Sequence, residues 1–587
     1  MTVLLETIQS WQMGQAYSVQ HDRAARDRPK LADVSNMAVL PGMRPSKAGR
    51  WGKLTVSNMT VLPGTRPSKA GRWCKLTVSN MTVTSAMSGV APRTAIRAVR
   101  SPSITWTRSR SQIVADLCPH HHEENLTSAR PYRDIPGPRP LPFLGNTWRL
   151  LPVVGQYQVS DLARISQLFH DQYGDIVKLS GLIGRPDLLF VYDADEIERA
   201  YRSEGPTPFR PSMPCLVHYK SSVRRDFFGD LPGVVGVHGE RWREFRTKVQ
   251  RPILQPRTVR KYIQPIEEVT SHFINKMCEM KDLNQEMPSD FDNEIHKWSL
   301  ECIGRVALDT RLGCLDKDLA EDSEPQRIID AAKYALRNVA ILELKAPFWR
   351  YIPTPLWTKY VKNMDFFVDN VESSHTFRVC MKYIGDALER LKVKEASDHD
   401  DLSLLERILV DNPDPKIACI LALDLILVGI DTISMAVCSI LYQLATRPLE
   451  QQKLYEELVR VLPSADTPLN YQLLDSMVYL KAFVKEVFRQ YSTVIGNGRT
   501  LQQDAVICGY RVPKGVQLVF PTIVTGNMAR YVSKPDVFQP ERWFKQSDTK
   551  LHPFASLPYG HGARMCLGRR FADTEIQVLL AKVTSYI

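Results

Sequence analysis

The 587-residue sequence lacks three features that would each indicate a different class of protein. Its eleven cysteines include no Cys-x-x-Cys pair, which argues against a secreted disulfide scaffold and fits a reducing compartment. No run of about 20 apolar residues lies near the N-terminus, as a membrane anchor would need. Beyond residue 130 the charges nearly balance, with 58 Lys and Arg against 57 Asp and Glu. The body of the chain therefore carries no basic excess that would indicate nucleic-acid binding.

The first 130 residues form a basic leader, with 18 Lys and Arg against 7 Asp and Glu. Residues 34–55 and 56–77 are near-copies, but two copies are too few to stack into a solenoid. We predict that residues 1–86 are a disordered, repeat-bearing extension that need not belong to the working protein. Residues 87–130 begin with an arginine-rich stretch that has no acidic residue before Asp116. This profile predicts a mitochondrial transit peptide and linker, with a basic disordered tail as the alternative.

The most informative stretch is the loop at residues 559–568, which reads Tyr-Gly-His-Gly-Ala-Arg-Met-Cys-Leu-Gly. Gly560 and Gly562 allow the backbone to approach a flat ring closely. Loop amides and the N-terminus of a following helix favour an anionic thiolate at Cys566. Arg564 offers a charge-assisted hydrogen bond to a carboxylate. These features suit a haem whose iron is bound by a thiolate, a ligand that favours O–O cleavage; a buried structural cysteine is the alternative.

At these residues the sequence resembles the cytochrome P450 superfamily, whose signature loop reads Phe-Gly-x-Gly-x-Arg-x-Cys-x-Gly. Tyr559 stands where the family has phenylalanine. The resemblance covers residues 131–587, beginning with the proline-rich segment 131–142, and implies a mainly α-helical catalytic domain with small β-sheets. It also implies a C-terminal β-hairpin that lines the substrate pocket. Because the sequence ends at Ile587, we expect this fold to be truncated at that hairpin.

A second motif lies within a predicted helix at residues 416–446, where residues 428–432 read Val-Gly-Ile-Asp-Thr. They match the family's oxygen-activation motif. The resemblance implies that Gly429 leaves room for O2, that Thr432 holds water and that Asp431 feeds protons from solvent. Because O–O cleavage consumes protons, a carboxylate beside a hydroxyl is the expected arrangement. A transmembrane segment is the alternative, although each aspartate in hydrocarbon would cost about 2.5–3.5 kcal/mol.

Two further motifs supply charges that the family uses structurally. Glu486 and Arg489 are three residues apart in a predicted helix at residues 480–491, and residues 538–542 read Phe-Gln-Pro-Glu-Arg. The resemblance implies that Glu486, Arg489 and Arg542 form a buried network that supports the haem-loop side of the fold. On their own, Glu486 and Arg489 would be read as an ordinary surface salt bridge.

Four residues match positions that hold the haem propionates in the family: Trp242, Arg246, Arg499 and Arg564. A core tryptophan and exposed arginines are the alternative. Four others match positions where an acidic [2Fe–2S] ferredoxin docks in mitochondrial members: Lys481, Lys485, Arg569 and Arg570. Opposite charge at such a contact mainly raises the encounter rate. A solvated basic face is the alternative here.

The sequence is therefore interpreted as a mitochondrial haem-thiolate monooxygenase, similar to arthropod mitochondrial members of the superfamily. The resemblance implies haem b, O2, and electrons from NADPH through ferredoxin reductase and ferredoxin. It also implies peripheral contact with the matrix side of the inner membrane. A lipophile such as a steroid, ecdysteroid or xenobiotic is the expected substrate, and residues 205–239 are predicted to form part of its pocket. The alternatives are rearrangement of oxygenated lipids without O2, a haem sensor or carrier, and a non-catalytic protein that lacks the C-terminal pocket segment.

Overall fold

The computed structural model describes residues 128–586, without residues 152–153, 211–212, 284–285, 318, 369–374, 394–401, 465 and 546–550. The repeat-bearing extension predicted at residues 1–86 lies outside the described residues. The transit peptide and linker predicted at residues 87–130 lie outside them too, apart from the last three residues.

Helices dominate the described residues, and the strands are short, so the prediction of a mainly α fold with small β-sheets is confirmed. In chain order the α-helices are α1 (Leu162–Tyr173), α2 (Ala194–Arg202), α3 (Pro214–His218), α4 (Arg225–Phe228), α5 (Gly239–Leu254), α6 (Pro256–Lys261), α7 (Ile263–Met280), α8 (Phe291–Ala307), α9 (Glu324–Leu344), α10 (Pro355–Val368), α11 (His375–Val393), α12 (Leu404–Asp411), α13 (Pro415–Ala445), α14 (Pro448–Val461), α15 (Tyr471–Ser476), α16 (Val478–Gln490), α17 (Thr522–Thr525) and α18 (Arg569–Tyr586). A π-helical turn (Tyr219–Val223) joins α3 to α4, and 3-10 turns occupy Tyr132–Asp134, Thr147–Leu150, Phe348–Arg350 and Pro540–Trp543.

The strands form one four-stranded sheet and one hairpin. They are β1 (Ile176–Leu179), β2 (Leu188–Val191), β3 (Asn497–Thr500), β4 (Ala505–Ile507), β5 (Tyr510–Val512) and β6 (Gln517–Phe520). The larger sheet has the order β1-β2-β6-β3, with β2 and β6 parallel and the other neighbours antiparallel. In the hairpin, Cys508 and Gly509 both have positive φ, at 48° and 76°, as a tight two-residue turn between strands requires.

The proline-rich segment at residues 131–142 lies against this β region. Ile135 is buried, and Lys178 of β1 donates to the Tyr132 carbonyl at 2.9 Å. The preceding Arg130 exchanges backbone hydrogen bonds with the β4–β5 hairpin, through Gly509 and Arg511. Backbone and side-chain bonds thus fix the start of the described region to its sheets.

The long predicted helix is present as α13, one residue earlier at each end than the sequence prediction. Asp414 caps it by accepting from the Lys416 N–H at 2.9 Å, and Pro415 occupies the first turn, where its missing N–H costs nothing. The helix is long and apolar enough to cross a membrane, yet 78% of its most apolar stretch is buried inside the fold. It packs against α8, α9 and α11. This burial favours a central core helix over the transmembrane alternative.

Candidate active site

The loop that carries Cys566 folds back on itself. Gly560 and Gly562 have φ of 70° and 76°, in the left-handed region that glycine tolerates best. The Cys566 N–H donates to the Tyr559 carbonyl at 2.9 Å, and the Met565 N–H donates to the Gly562 carbonyl at 3.1 Å. A Cβ on Gly562 would lie 2.2 Å from a carboxylate oxygen of Glu204. These positions need glycine, and the backbone bonds fix the cysteine just before α18.

Opposing effects act on the Cys566 thiol. Partial burial of the sulfur raises the pKa of Cys566 above its usual value, because it reduces the hydration of the thiolate. The Gly568 N–H and the guanidinium groups of Arg210 and Arg246 act in the opposite direction and favour the anion. The residue remains accessible. A metal cation at the sulfur would add the positive charge that a fully ionised thiolate needs.

Tyr559 has a partner that phenylalanine could not have. Its hydroxyl donates to the Asp573 carboxylate of α18 at 2.7 Å, and its ring packs edge-on against Phe488 of α16 at 5.9 Å. Burial and the Asp573 charge raise the pKa of Tyr559 well above its usual value. The substitution therefore keeps the aromatic contact and adds a tie between the loop and the following helix.

The predicted propionate residues Trp242, Arg246, Arg499 and Arg564 come together beside this loop, and Arg210 joins them. Arg564 lies over the Trp242 ring, with 4.2 Å from its guanidinium carbon to the ring centroid. Arg246 donates to the Met565 carbonyl at 3.0 Å, and Arg499 donates to the His561 carbonyl at 3.3 Å. Both contacts attach the cluster to the cysteine loop.

Among the described residues, positive charge predominates in this cluster. Burial, together with the charges of Arg210, Arg499 and Arg246, lowers the pKa of Arg564 to about 9. Glu204 is the acidic residue that opposes this shift, and it forms an ion pair with Arg499. The cluster is therefore electrostatically suited to bind additional anionic groups.

His238 lies at the edge of the same cluster. Burial and the charges of Arg564 and Arg210 lower the pKa of His238 to about 4, so its ring is neutral near pH 7. Its Nδ1 is buried and has no hydrogen-bond partner among the described residues, and its ring stacks on Phe209 at 4.1 Å. An accessible cysteine, an unbalanced arginine cluster and this unsatisfied nitrogen fit a haem with two propionates. Cys566 would bind the iron, and Trp242, Arg246, Arg499 and Arg564 would hold the propionates.

The oxygen-activation motif occupies the middle of α13. Thr432 is exposed on this helix, and its hydroxyl donates to the Val428 carbonyl at 2.8 Å. Its lone pairs remain available to a water molecule. A Cβ on Gly429 would lie 2.8 Å from the end of the Ile303 side chain in α8. Gly429 thus allows close packing of α13 on α8, and its role in leaving room for O2 stays a prediction.

Asp431 is buried and points away from solvent, towards α8. Its Oδ1 lies 3.2 Å from His296 Nε2 and 4.0 Å from an Arg337 Nη2 of α9. His296 Nδ1 lies 2.6 Å from the Asp292 carbonyl, which can only accept, so Nδ1 carries a proton. Nε2 and Oδ1 must therefore share a proton, as an imidazolium beside a carboxylate or as a neutral ring beside a carboxylic acid. The sequence motif gave no sign of His296 or Arg337.

Glu486, Arg489 and Arg542 meet as a fully buried network. Arg489 donates to both Glu486 oxygens, at 2.8 and 3.0 Å, and Arg542 donates to one of them at 3.0 Å. The Gln539 N–H and the Trp543 indole complete the set, at 3.0 and 2.9 Å. Burial opposes ionisation, but the hydrogen bonds and charges of the arginines outweigh it and lower the pKa of Glu486.

The four residues predicted to dock ferredoxin lie on α16 and at the start of α18. Lys481 is bonded to Asp475 at 2.7 Å, and Lys485 is exposed. Arg569 and Arg570 are exposed, and Arg569 approaches Asp573 at 3.6 Å. The Tyr559–Asp573 bond joins this surface to the cysteine loop. The basic residues on α18 are thus within a few residues of the candidate iron ligand.

A glycine-spaced cysteine loop, a buried arginine cluster beside it, and an aspartate followed by a threonine on a central helix fit the class of haem-thiolate proteins. The model of the family described as Cytochrome P450 matches residues 135–585. The chain is 68% identical over 468 residues to the Drosophila melanogaster protein named probable cytochrome P450 301a1, mitochondrial, with 79% of this chain and 83% of the relative covered. It is 46% identical over 469 residues to probable cytochrome P450 49a1 of the same species, with 78% of each covered. It is 30% identical over 496 residues to probable cytochrome P450 12d1 proximal, mitochondrial, of that species, with 83% of this chain and 92% of the relative covered.

The chain belongs to the cytochrome P450 superfamily and is of its mitochondrial type. It is a monooxygenase, and its location is the mitochondrion.

Proposed function

We propose that this monooxygenase hydroxylates a lipophilic small molecule, such as a steroid or a xenobiotic, with electrons from a mitochondrial [2Fe–2S] ferredoxin. Bound haem b would supply the activation of O2 and the insertion of one oxygen atom into a C–H bond. The observation that carries the proposal is the Asp431–His296 pair, which lies one residue before the Thr432 hydroxyl on α13. A protein that only stores or senses haem has no need for a proton-holding pair at this place.

In this proposal the chain's own residues hold and move protons. The pair His296 Nε2 and Asp431 Oδ1 would hold a proton at the middle of α13, one residue before Thr432 in the chain. Arg337, partly exposed on α9, connects the pair towards solvent. Thr432 would hold a water molecule through its hydroxyl and help to supply the protons that O–O cleavage consumes. Arg246, Arg499 and Arg564 would orient the haem, and Cys566 would anchor it.

Replacement of Thr432 by alanine is expected to divert electrons into hydrogen peroxide, because the water-holding hydroxyl is lost. The measurement is hydrogen peroxide formed per NADPH oxidised, with ferredoxin, its reductase and a lipophile that gives a haem spectral shift. We expect the fraction of electrons lost as peroxide to rise several-fold. Thr432→Ser, which keeps the hydroxyl, is the matched control and should stay near wild type. Equal peroxide yields in the alanine and serine variants would contradict the proton role.

The basic surface at α16 and α18 supports ferredoxin as the electron donor. Arg569 and Arg570 are adjacent and exposed, and they immediately follow the cysteine loop. A negatively charged iron–sulfur protein bound there would approach the iron ligand by a short path. Lys481 and Lys485 extend the positive charge along α16. Weak electron-transfer contacts of this kind rely on charge complementarity more than on buried area.

The double charge reversal R569E/R570E is expected to slow electron transfer from reduced ferredoxin by about tenfold or more at low ionic strength, and less at high salt. Stopped-flow formation of the ferrous–CO complex measures this rate. The control is K359E/K362E, which reverses two exposed lysines on α10, away from the cysteine loop. If both double variants reduce at the same rate, ferredoxin docks elsewhere.

One apolar face supports peripheral contact with the inner mitochondrial membrane. Its exposed side chains are Phe143, Leu144, Ile183, Phe348, Tyr351 and Ile352. They come from separate segments that touch: Gly145 packs on Gly181, and a Cβ on Gly184 would lie 2.8 Å from Pro347. Because large apolar side chains are exposed together here, a lipid surface is a suitable partner.

A further inference from the structure

The segment predicted to border the pocket leaves the cysteine loop and returns to it. Arg564 donates to the Pro208 carbonyl at 3.4 Å and to the Val237 carbonyl at 2.6 Å. Between these two points in the chain lie α3, the π-helical turn and α4. We call residues 214–237 the wall segment. Its contacts with Asp424 of α13 and with Arg564 place it between the central helix and the cysteine loop, where the proposed function requires the substrate.

Asp424 of α13 holds the wall segment at three points. Its Oδ1 accepts from Lys220 Nζ at 2.7 Å, and its Oδ2 accepts from the N–H groups of Val234 and Val235 at 2.7 and 3.1 Å. The side chains of Lys220 and Asp424 are each only 4% exposed. Gly233 makes the approach possible, since a Cβ there would lie 2.2 Å from the carboxylate. Lys220 also donates to two carbonyls of the segment, so the buried charges are fully bonded.

Glu343, near the end of α9, holds the start of the wall segment. Its Oε1 accepts from the Cys215 N–H in the first turn of α3 at 2.8 Å. Its Oε2 accepts from Arg185, in the turn between β1 and β2, at 2.9 Å. Both members of the ion pair are largely buried. One carboxylate thus joins α9, the sheet and the wall segment.

Asp365 of α10 holds the middle of the wall segment. Its Oδ1 accepts from the Tyr219 hydroxyl at 2.8 Å and from Arg224 at 3.2 Å. His218 packs against Trp349 and Trp357, with ring centroids 5.6 and 5.7 Å away. The π-helical turn Tyr219–Val223 directs Tyr219 to α10 and Lys220 to α13. Such π-helical turns are frequent at functional sites.

We propose that Asp424, Glu343 and Asp365 are specificity-determining positioning residues, which fix the wall segment and restrict the size of ligand that the pocket accepts. A buried ion pair is weak as a source of stability, because desolvation offsets most of its attraction. The ion pair instead fixes a conformation, because the buried charges of the wall segment are satisfied in only one arrangement. A bulky ligand that displaces the wall must break these contacts, whereas a small ligand leaves them intact. The inference rests on the proposed function in one respect: it takes the space beside the wall segment as the site where the ligand binds.

The test compares a small and a bulky ligand of the haem in the full-length, haem-loaded protein. Imidazole and the triaryl-substituted imidazole clotrimazole are titrated, and their affinities are read from the haem spectral shift. In Asp424→Asn the clotrimazole affinity, relative to that of imidazole, is expected to rise about tenfold over wild type, because opening the wall now costs less. Hydrogen exchange of residues 214–237 should accelerate in the same variant, with no ligand present.

The matched control is Glu267→Gln. Glu267 forms a buried pair with Lys582 between α7 and α18, at 2.6 Å and with side chains 9% and 5% exposed. It also accepts from a backbone N–H, that of Leu469, as Asp424 does from its own partners. Its loss destabilises the fold by the same kind of change but leaves the wall segment untouched. The ratio of clotrimazole affinity to imidazole affinity should therefore stay near the wild-type value, and so should the hydrogen exchange of the wall segment.

Asp424→Asn leaves Lys220 buried without a carboxylate and could therefore fold poorly. A second variant keeps the proposal testable in that case. K220M/D424N removes both charges and keeps an amide oxygen for the Val234 and Val235 N–H groups. It is expected to give the same change in ligand ratio. If neither variant changes the ratio more than Glu267→Gln does, or if hydrogen exchange of the wall segment is unchanged, the proposal is overturned. Neither readout requires turnover, so a failure of the proposed hydroxylation would be recognised separately.

Discussion

Alanine in place of Cys566 is expected to abolish the red-shifted absorption band of the ferrous–CO complex. The band depends on a thiolate bound to iron, and Cys566 is the cysteine held in the glycine-spaced loop beside the arginine cluster. Monooxygenase activity should fall below detection in the same variant, because the ligand that favours O–O cleavage is lost. The arginines that are predicted to hold the propionates are unchanged, so part of the haem should remain bound. The reduced, CO-treated spectrum together with haem content per protein measures both effects.

Cys278→Ala is the control for this experiment. Cys278 is also an exposed cysteine, but it lies near the end of α7 and far along the chain from the loop. Its replacement should leave the band and the haem content at wild-type values. A red-shifted band that persists in Cys566→Ala would refute the ligand assignment, whatever activity remains.

The cysteine loop could be predicted from the sequence because its geometry is local. Gly560 and Gly562 adopt positive φ, Arg564 and Cys566 follow at fixed spacing, and a helix begins directly afterwards. The central helix was likewise predictable, since 31 residues with a proline at the first turn and few charges have few other structures available. In each case neighbouring residues determine the outcome.

The partners of the buried charges could not be predicted, because they depend on how distant segments pack. His296 is 135 residues from Asp431, and Lys220 is 204 residues from Asp424. A histidine or a lysine in an amphipathic stretch gives no indication of the carboxylate that it will meet. Arg210, Glu204 and His238 were missed for the same reason: they reach the arginine cluster through tertiary contacts and belong to no motif. The sequence thus indicates the chemistry of the site, whereas packing determines how the charges are held.

Replacement of Glu486 by glutamine is expected to destabilise the fold by about 3–5 kcal/mol and to reduce haem retention. The loss leaves Arg489 and Arg542 buried without a carboxylate, although Arg489 keeps its bonds to the Gly526 carbonyl and Asn527 at 3.1 and 2.7 Å. Arg542 keeps its bonds to the carbonyls of Ser533 and Val537, both at 2.9 Å. These neutral acceptors orient the guanidinium groups but do not neutralise them. Urea unfolding of the full-length protein, with haem content after purification, measures the effect.

Glu541→Gln, in the motif that carries Arg542, provides the comparison. Glu541 pairs with Lys453 at 2.6 Å, but both side chains are substantially exposed, at 34% and 47%. An exposed pair of this kind is worth about 0–1 kcal/mol, so this variant should unfold and retain haem almost as wild type does. The two substitutions make the same chemical change, one at an exposed residue next to Arg542 in the chain and one in the buried core. If Glu486→Gln were no less stable than Glu541→Gln, the buried network would have no structural role. The haem-loop side of the fold would then be supported by the apolar packing of α16 and α18 alone.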